Sequence, residues 1–123
     1  MIIIGYEPIA WEKFSKVLHI DDLETTQGLV WFEANQSSLE IAKKCQDSHI
    51  PFAVCLDTIK DFLIFSALGA KYAIITKHFE HYQKLAENYL LDTKILCLID
   101  SIDEIQEIAE LGIDGVIFRR VLS

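Results

Sequence analysis

Apolar residues gather in six short runs along the chain. Each run is five to seven residues long, rich in β-branched and aromatic side chains, and apolar nearly throughout rather than at alternate positions. Strands that are covered on both faces, as in parallel sheets, have this pattern. The runs, which we interpret as strands, are IIIGY, GLVWFEA, PFAVCLD, YAIITK, KILCLID and GVIFRR.

Helical periodicity fills most of the segments between these runs. Helix ends are marked by Gly69 and Gly112, which follow Ala-Leu and Glu-Leu where a left-handed residue is favoured. A first helix is expected around residues 11–18, with Trp11, Phe14, Val17 and Leu18 as its apolar face. Helix starts are predicted where a hydroxyl precedes an acid by three residues: Ser37 with Glu40, Thr58 with Asp61, and Ser101 with Glu104.

The alternation of strand and helix predicts a single α/β domain over residues 1–123, with a largely parallel sheet of five or six strands. An open, doubly wound, flavodoxin-like sheet is the first choice, and an incomplete TIM-like βα barrel is the alternative. Residues 50–77 align without a gap with residues 93–120, matching Asp57 to Asp100. We interpret this internal repeat as one βαβ unit written twice.

Composition restricts the partners and the compartment. The net charge of −8 argues against nucleic acid, because phosphate binding needs clustered Lys and Arg. The three cysteines form no CxxC pair, which is typical of a reducing compartment. The first apolar run is too short for a signal peptide, and no run is long enough to cross a membrane. We therefore expect a cytoplasmic protein.

The segment LIDSIDEIQEIAELGIDGVIFRRV resembles the last βαβ step of the glycerophosphodiester phosphodiesterases, which are TIM-barrel enzymes. Leu111, Gly112, Asp114 and Gly115 carry the similarity, which covers about a fifth of the chain. That family has a His-Arg-Gly catalytic segment after its first strand, where this chain reads GYEP. The resemblance implies local structure and no activity.

The order of elements is also similar to that of response-regulator receiver domains. Asp57 ends the third predicted strand, where that family carries its phosphorylated aspartate, and Thr76 matches the hydroxyl after the fourth strand. The family's acidic pair is reduced to Glu7, and Asp100 replaces its lysine. The resemblance implies a degenerate, receiver-like topology.

Polar residues follow the predicted strands at their carboxyl ends, where parallel α/β folds bind ligands. Asp57 and Asp100 also lie directly before helix caps, where the helix N-terminus stabilises a negative charge by about 0.3–1 kcal/mol. A structural role therefore competes with a ligand-binding role. The candidate ligand-binding residues are Glu7, Glu33, Asp57, Lys77, Asp100 and Arg119.

Acids beside a lysine are the residue types that hold Mg²⁺ or transfer protons on a phosphorylated or carboxylated substrate. Mg²⁺ is thus the one cofactor for which the sequence offers ligands. His78 and His81 have the i, i+3 spacing of a metal pair but lack a third ligand, so we assign no metal residue.

The segment DFLIFSALGA is apolar almost all round its predicted helix, and such a helix needs cover on both sides. We predict a homodimer with Phe62, Leu63 and Phe65 in its interface. The favoured function is a non-catalytic regulatory or protein-interaction module. The alternative is a small enzyme or ligand-binding protein that acts on a small anionic metabolite, phosphorylated or carboxylated, at the carboxyl ends of the strands.

Overall fold

Seven parallel strands form one sheet in the computed structural model, which describes residues 1–123. The additional strand lies in the segment between the first two predicted strands. The strands are β1 (Ile2–Ile4), β2 (Phe14–Lys16), β3 (Leu29–Glu33), β4 (Phe52–Cys55), β5 (Tyr72–Ile75), β6 (Lys94–Ile99) and β7 (Gly115–Phe118).

Strands β2 to β7 lie side by side in chain order, and β1 lies beside β7. Each step from β3 to β7 moves one strand in the same direction, so right-handed crossovers place the connecting helices on one face. The sheet curls into a half-barrel with this helical layer outside. The α/β class with a parallel βα-repeat sheet is confirmed, and the sequential strand order corresponds to the incomplete-barrel arrangement.

Four α-helices connect the strands from β3 onward. None of them combines the length and the apolarity that crossing a bilayer requires. Residues 50–77 contain β4, one helix and β5, and residues 93–120 contain β6, one helix and β7. The helices are α1 (Ser38–Asp47), α2 (Ile59–Ala67), α3 (Phe79–Asn88) and α4 (Ile105–Glu110).

Two of the three predicted helix caps are confirmed. The Thr58 hydroxyl accepts the N–H of Asp61 at 3.2 Å. The Ser101 hydroxyl accepts the N–H of Asp103 at 3.2 Å, and the Glu104 carboxylate accepts the N–H of Ser101 at 2.9 Å. These bonds satisfy N–H groups that the first helical turn leaves without partners.

The cap predicted at Ser37 is wrong, because its side chain accepts no N–H of α1. Asn35 and Ser38 do this work reciprocally: the Asn35 side chain accepts the N–H of Ser38 at 2.9 Å, and the Ser38 hydroxyl accepts the N–H of Asn35 at 2.8 Å. The predicted stops are confirmed, since Gly69 and Gly112 have φ angles of +93° and +75°.

Alternate side chains of each strand enter two separate apolar layers. The outer layer packs under the helices and includes Phe32, Val54, Ile75, Cys97 and Phe118 together with residues of all four α-helices. The inner layer lines the concave face and is formed by Ile4, Phe14, Leu29, Trp31, Ala53, Tyr72, Ile74, Leu96 and Ile117. Both faces are apolar, which is why the strands read as continuous apolar runs.

The chain covers part of its own concave face. Residues 9–12 and β1 border one small cavity together with Tyr72. The Glu12 carboxylate pairs with the Lys71 ammonium at 2.7 Å, and the Phe14 ring stacks on Tyr72 at 6.1 Å. At the carboxyl edge, the 3-10 turn after β7 packs Val121 and Leu122 against the inner layer. The half-barrel therefore stays open only between these two covers.

The predicted first helix is wrong, because residues 11–18 contain no helix and Phe14–Lys16 form β2. Phe14 pairs in register with Leu29 of β3, and both belong to the inner layer. Val17 is buried in the outer layer instead. The apolar residues of this segment thus face the two sides of a strand, because long-range pairing overrides the local helical period.

Candidate functional site

One cleft of about 560 Å³ opens at the carboxyl edge of the sheet, between β3 and β7. It is built mainly from inner-face side chains, so β3, β4 and β5 each contribute residues two positions apart. Its floor is mainly apolar and its rim is polar. The lining residues are Trp31, Glu33, Ala34, Cys55, Leu56, Asp57, Ile74, Thr76, Leu98, Arg119, Leu122 and Ser123.

Glu33 and Asp57 provide the negative charge of the cleft. Glu33 ends β3 and is the register partner of Cys55, and Asp57 follows Cys55 by two residues. Both carboxylates are exposed, and neither forms a salt bridge. They therefore face the opening of the cleft with their charges uncompensated by a paired cation.

Cys55 lies half-buried between these acids and the floor. Burial, and then the neighbouring charge of Glu33, raise the pKa of its thiol to about 12, although Lys16 acts in the opposite direction. A thiol with this pKa is protonated at neutral pH, whereas nucleophilic cysteines are thiolates.

Arg119 and Asp100 form an ion pair on the opposite side of the cleft. The guanidinium Nε donates to the Asp100 carboxylate at 2.9 Å, and Nη2 approaches its second oxygen at 3.5 Å. The hydrogen bond that Arg119 donates to Asp100 is the main cause that raises the pKa of Arg119. The Asp100 N–H is in turn bound by the Glu104 carboxylate at 2.8 Å, which ties this pair to the start of the last helix.

Lys16 and Trp31 meet on the β3 side of the cleft, which is also the side of Glu33. They are register partners on β2 and β3, and the Lys16 ammonium lies 5.1 Å from the centre of the Trp31 ring. A cation in this position is attracted by the face of the ring. Trp31 is only 6% exposed, so it serves as a wall and part of the floor.

The structure brings four of the six predicted ligand-binding residues together. Glu33, Asp57 and Arg119 line the cleft, and Asp100 reaches it through its pair with Arg119. Glu7 and Lys77 are exposed and do not line it. Thr76, which does line the cleft, and Lys77 both follow the end of β5 at Ile75.

The cleft also contains residues that the sequence did not single out, chiefly Trp31, Leu98 and Leu122. Trp31 and Leu98 precede Glu33 and Asp100 by two residues, so the period-two rule was the signal that could have found them. Leu122 had no such signal, because its position depends on the fold of the turn after β7.

No group of three or more His, Cys, Asp and Glu side chains converges anywhere in the chain as a metal site. His78 and His81 lie at the start of α3, where His78 has a left-handed backbone with φ of +59°. Glu33 and Asp57 are thus available to a ligand as two separate carboxylates.

Burial within the chain corrects two of the three predicted dimer residues of α2, Phe62 and Phe65, and leaves Leu63 as a prediction. Phe62 and Phe65 are 0% and 1% exposed, because Phe62 packs edge-on against Tyr82 of α3 and Phe65 packs against Phe32 of β3. Only Leu63 and Ile64, at 38% and 39% exposure, present an apolar surface. The homodimer stays a prediction, with Leu63 and Ile64 as its contact residues.

Comparison with known proteins finds no family model that matches the chain, and no curated protein matches it at a significant level.

Proposed function

We propose that the protein is a small non-catalytic module that binds a small organic molecule in the cleft at the carboxyl edge of its sheet. The observation that carries this proposal is a cleft of about 560 Å³ with an apolar floor and a rim of separate polar groups. Small-molecule sites have this size and this make-up, and parallel α/β folds form them at this edge.

The chemistry of the lining residues favours binding over catalysis. Burial keeps the Cys55 thiol protonated, so it is a poor nucleophile. The Arg119 guanidinium is already paired with the Asp100 carboxylate. These groups can contact and hydrogen-bond a ligand, but they do not provide an activated nucleophile beside its base.

The same proposal includes a cytoplasmic location, in which the protein reports on a ligand to another protein or to a second copy of itself. The three cysteines are free, and Cys45 and Cys97 are buried. Free thiols of this kind are typical of a reducing compartment.

Blocking the cleft tests the proposal. Thr76 is exposed on the rim, so Thr76→Trp fills the mouth without removing a core side chain. Ser48→Trp is the matched control, because Ser48 is exposed after α1 at the opposite edge of the sheet.

A fragment library is screened by protein-observed NMR, with thermal shift as a second readout, since ligands that bind only the folded state raise its stability. We expect fragments to shift the resonances of Trp31 and Leu98 in the wild type and in Ser48→Trp, and not in Thr76→Trp. A screen in which no fragment shifts cleft resonances refutes the binding function.

A further inference from the structure

The two ends of the cleft differ in charge. Glu33 and Asp57, on the side of β3 and β4, have no salt-bridge partner. The negative charge of Glu33 acts inside the cleft, because it raises the pKa of the Cys55 thiol on the cleft wall, while the positive charge of Lys16 on the same side acts in the opposite direction. With two carboxylates and one lysine, the β3 and β4 side of the cleft is net negative, which favours a positive group.

Both cations near the cleft are already engaged. The Arg119 guanidinium binds the Asp100 carboxylate at 2.9 Å through Nε, and the Lys16 ammonium lies over the Trp31 ring. A ligand anion would have to displace Asp100 from Arg119, and it would meet the unpaired carboxylates in the same cleft. A ligand cation has no salt bridge to displace at Glu33 or Asp57.

The spacing of the acids suits one cationic group. Glu33 and Cys55 are register partners on adjacent strands, which lie about 4.8 Å apart, and Asp57 follows Cys55 by two residues. An ammonium above Cys55 is within reach of both side chains, and a carboxylate–ammonium hydrogen bond is a strong one. The apolar floor formed by Trp31, Ile74 and Leu98 then receives the body of the ligand.

We infer that the cleft selects an organic ammonium that is carried on an aromatic or branched apolar body. This inference rests on the proposed binding function and adds the ligand class to it. It also reverses the sign expected from the sequence, which pointed to a phosphorylated or carboxylated metabolite.

Three probes of one shape separate these alternatives: phenethylammonium, 3-phenylpropionate and neutral 2-phenylethanol. Dissociation constants are measured by NMR titration of the full chain. We expect phenethylammonium to bind about tenfold or more tightly than 3-phenylpropionate, which corresponds to about 1.4 kcal/mol. We also expect its affinity to fall as salt is raised, because the carboxylates are exposed.

The acids are tested one at a time. Glu33→Gln and Asp57→Asn should each weaken phenethylammonium about threefold to tenfold and leave 2-phenylethanol unchanged. Glu87→Gln makes the same chemical change at the exposed end of α3, far from the cleft, and should change nothing. The amide spectrum of each variant shows whether it is folded. The salt dependence of binding is measured on the wild type, so that test does not require any variant to fold.

Tighter binding of 3-phenylpropionate overturns the inference and restores the anionic ligand class, while the binding function survives. Equal effects of Glu33→Gln and Glu87→Gln on phenethylammonium also overturn it. If none of the three probes reaches the cleft resonances, and the fragment screen also fails, the binding function itself is refuted.

Discussion

The reactivity of Cys55 provides a direct measure of the environment inside the cleft. Its thiol has a pKa of about 12 in place of the ordinary 9.0, first because it is buried and then because Glu33 is near. Only the thiolate is alkylated, so at about pH 7–8 iodoacetamide should modify Cys55 about a thousandfold more slowly than an unhindered thiol. Cys45 and Cys97 are fully buried and serve as slower internal references.

The pH dependence has a definite sign. Because its pKa lies far above neutral, the Cys55 rate should keep rising about tenfold per pH unit beyond pH 9, where an ordinary thiol levels off. Peptide mapping by mass spectrometry, with glutathione in the same solution as the reference thiol, gives the rate at each cysteine.

Two substitutions of opposite charge test the cause. Glu33→Gln removes a charge that raises the pKa of Cys55 and should speed alkylation, whereas Lys16→Gln removes a charge that lowers it and should slow alkylation. Each change should be roughly threefold to tenfold, and smaller than the effect of burial. Alkylation of Cys55 at the glutathione rate, or a slower reaction in Glu33→Gln, would refute this description of the cleft.

Three further predictions concern the fold and the assembly. Gly115→Ala should destabilise the protein by about 1–3 kcal/mol in urea, because its Cβ would lie 2.5 Å from a backbone oxygen of β1. Gly112→Ala, whose Cβ meets nothing within 4 Å, should lower the stability by about 1–2 kcal/mol through its positive φ alone. No loss of stability in Gly115→Ala would contradict the close approach at Gly115. Burial raises the pKa of Cys97 to about 12, so the folded state retains a proton that the unfolded state loses above 9.0. The free energy of unfolding should therefore fall between pH 9 and 12. In Cys97→Ala, its slope against pH should be shallower than in the wild type by about 1.4 kcal/mol per pH unit. Equal slopes in urea titrations of the two proteins would exclude this cause. Sedimentation should give a dimer that Leu63→Glu with Ile64→Glu dissociates, and a stable wild-type monomer at micromolar concentration would end that prediction.

The helix starts show how far local sequence reasoning extends. The Thr58 and Ser101 caps are confirmed because a hydroxyl and an N–H three or fewer residues away interact within one turn. The prediction at Ser37 and Glu40 is two residues out of register, since the reciprocal bonds form between Asn35 and Ser38 instead. Asp57 and Asp100 both precede caps as expected, yet their partners differ.

The α2 helix shows where local reasoning failed. Its nearly continuous apolar sequence predicted Phe62 and Phe65 as dimer residues, but both are covered within the chain itself: Tyr82 of α3 covers Phe62, and Phe32 of β3 covers Phe65. The residues that provide this cover are 20 and 33 positions away in the sequence. No periodicity within α2 contains that information.

By itself, the sequence determined the α/β class, the strands from β3 to β7, the two glycine stops and the edge at which polar residues gather. These features depend on side-chain alternation and on contacts within a few residues, which are written along the chain. Only the tertiary structure decided that β2 replaces a helix, that Asp100 neutralises Arg119, and that Glu33 and Asp57 remain unpaired over an apolar floor. These outcomes depend on strand order and curvature, because a charge is compensated or left free by whichever residue the fold places beside it.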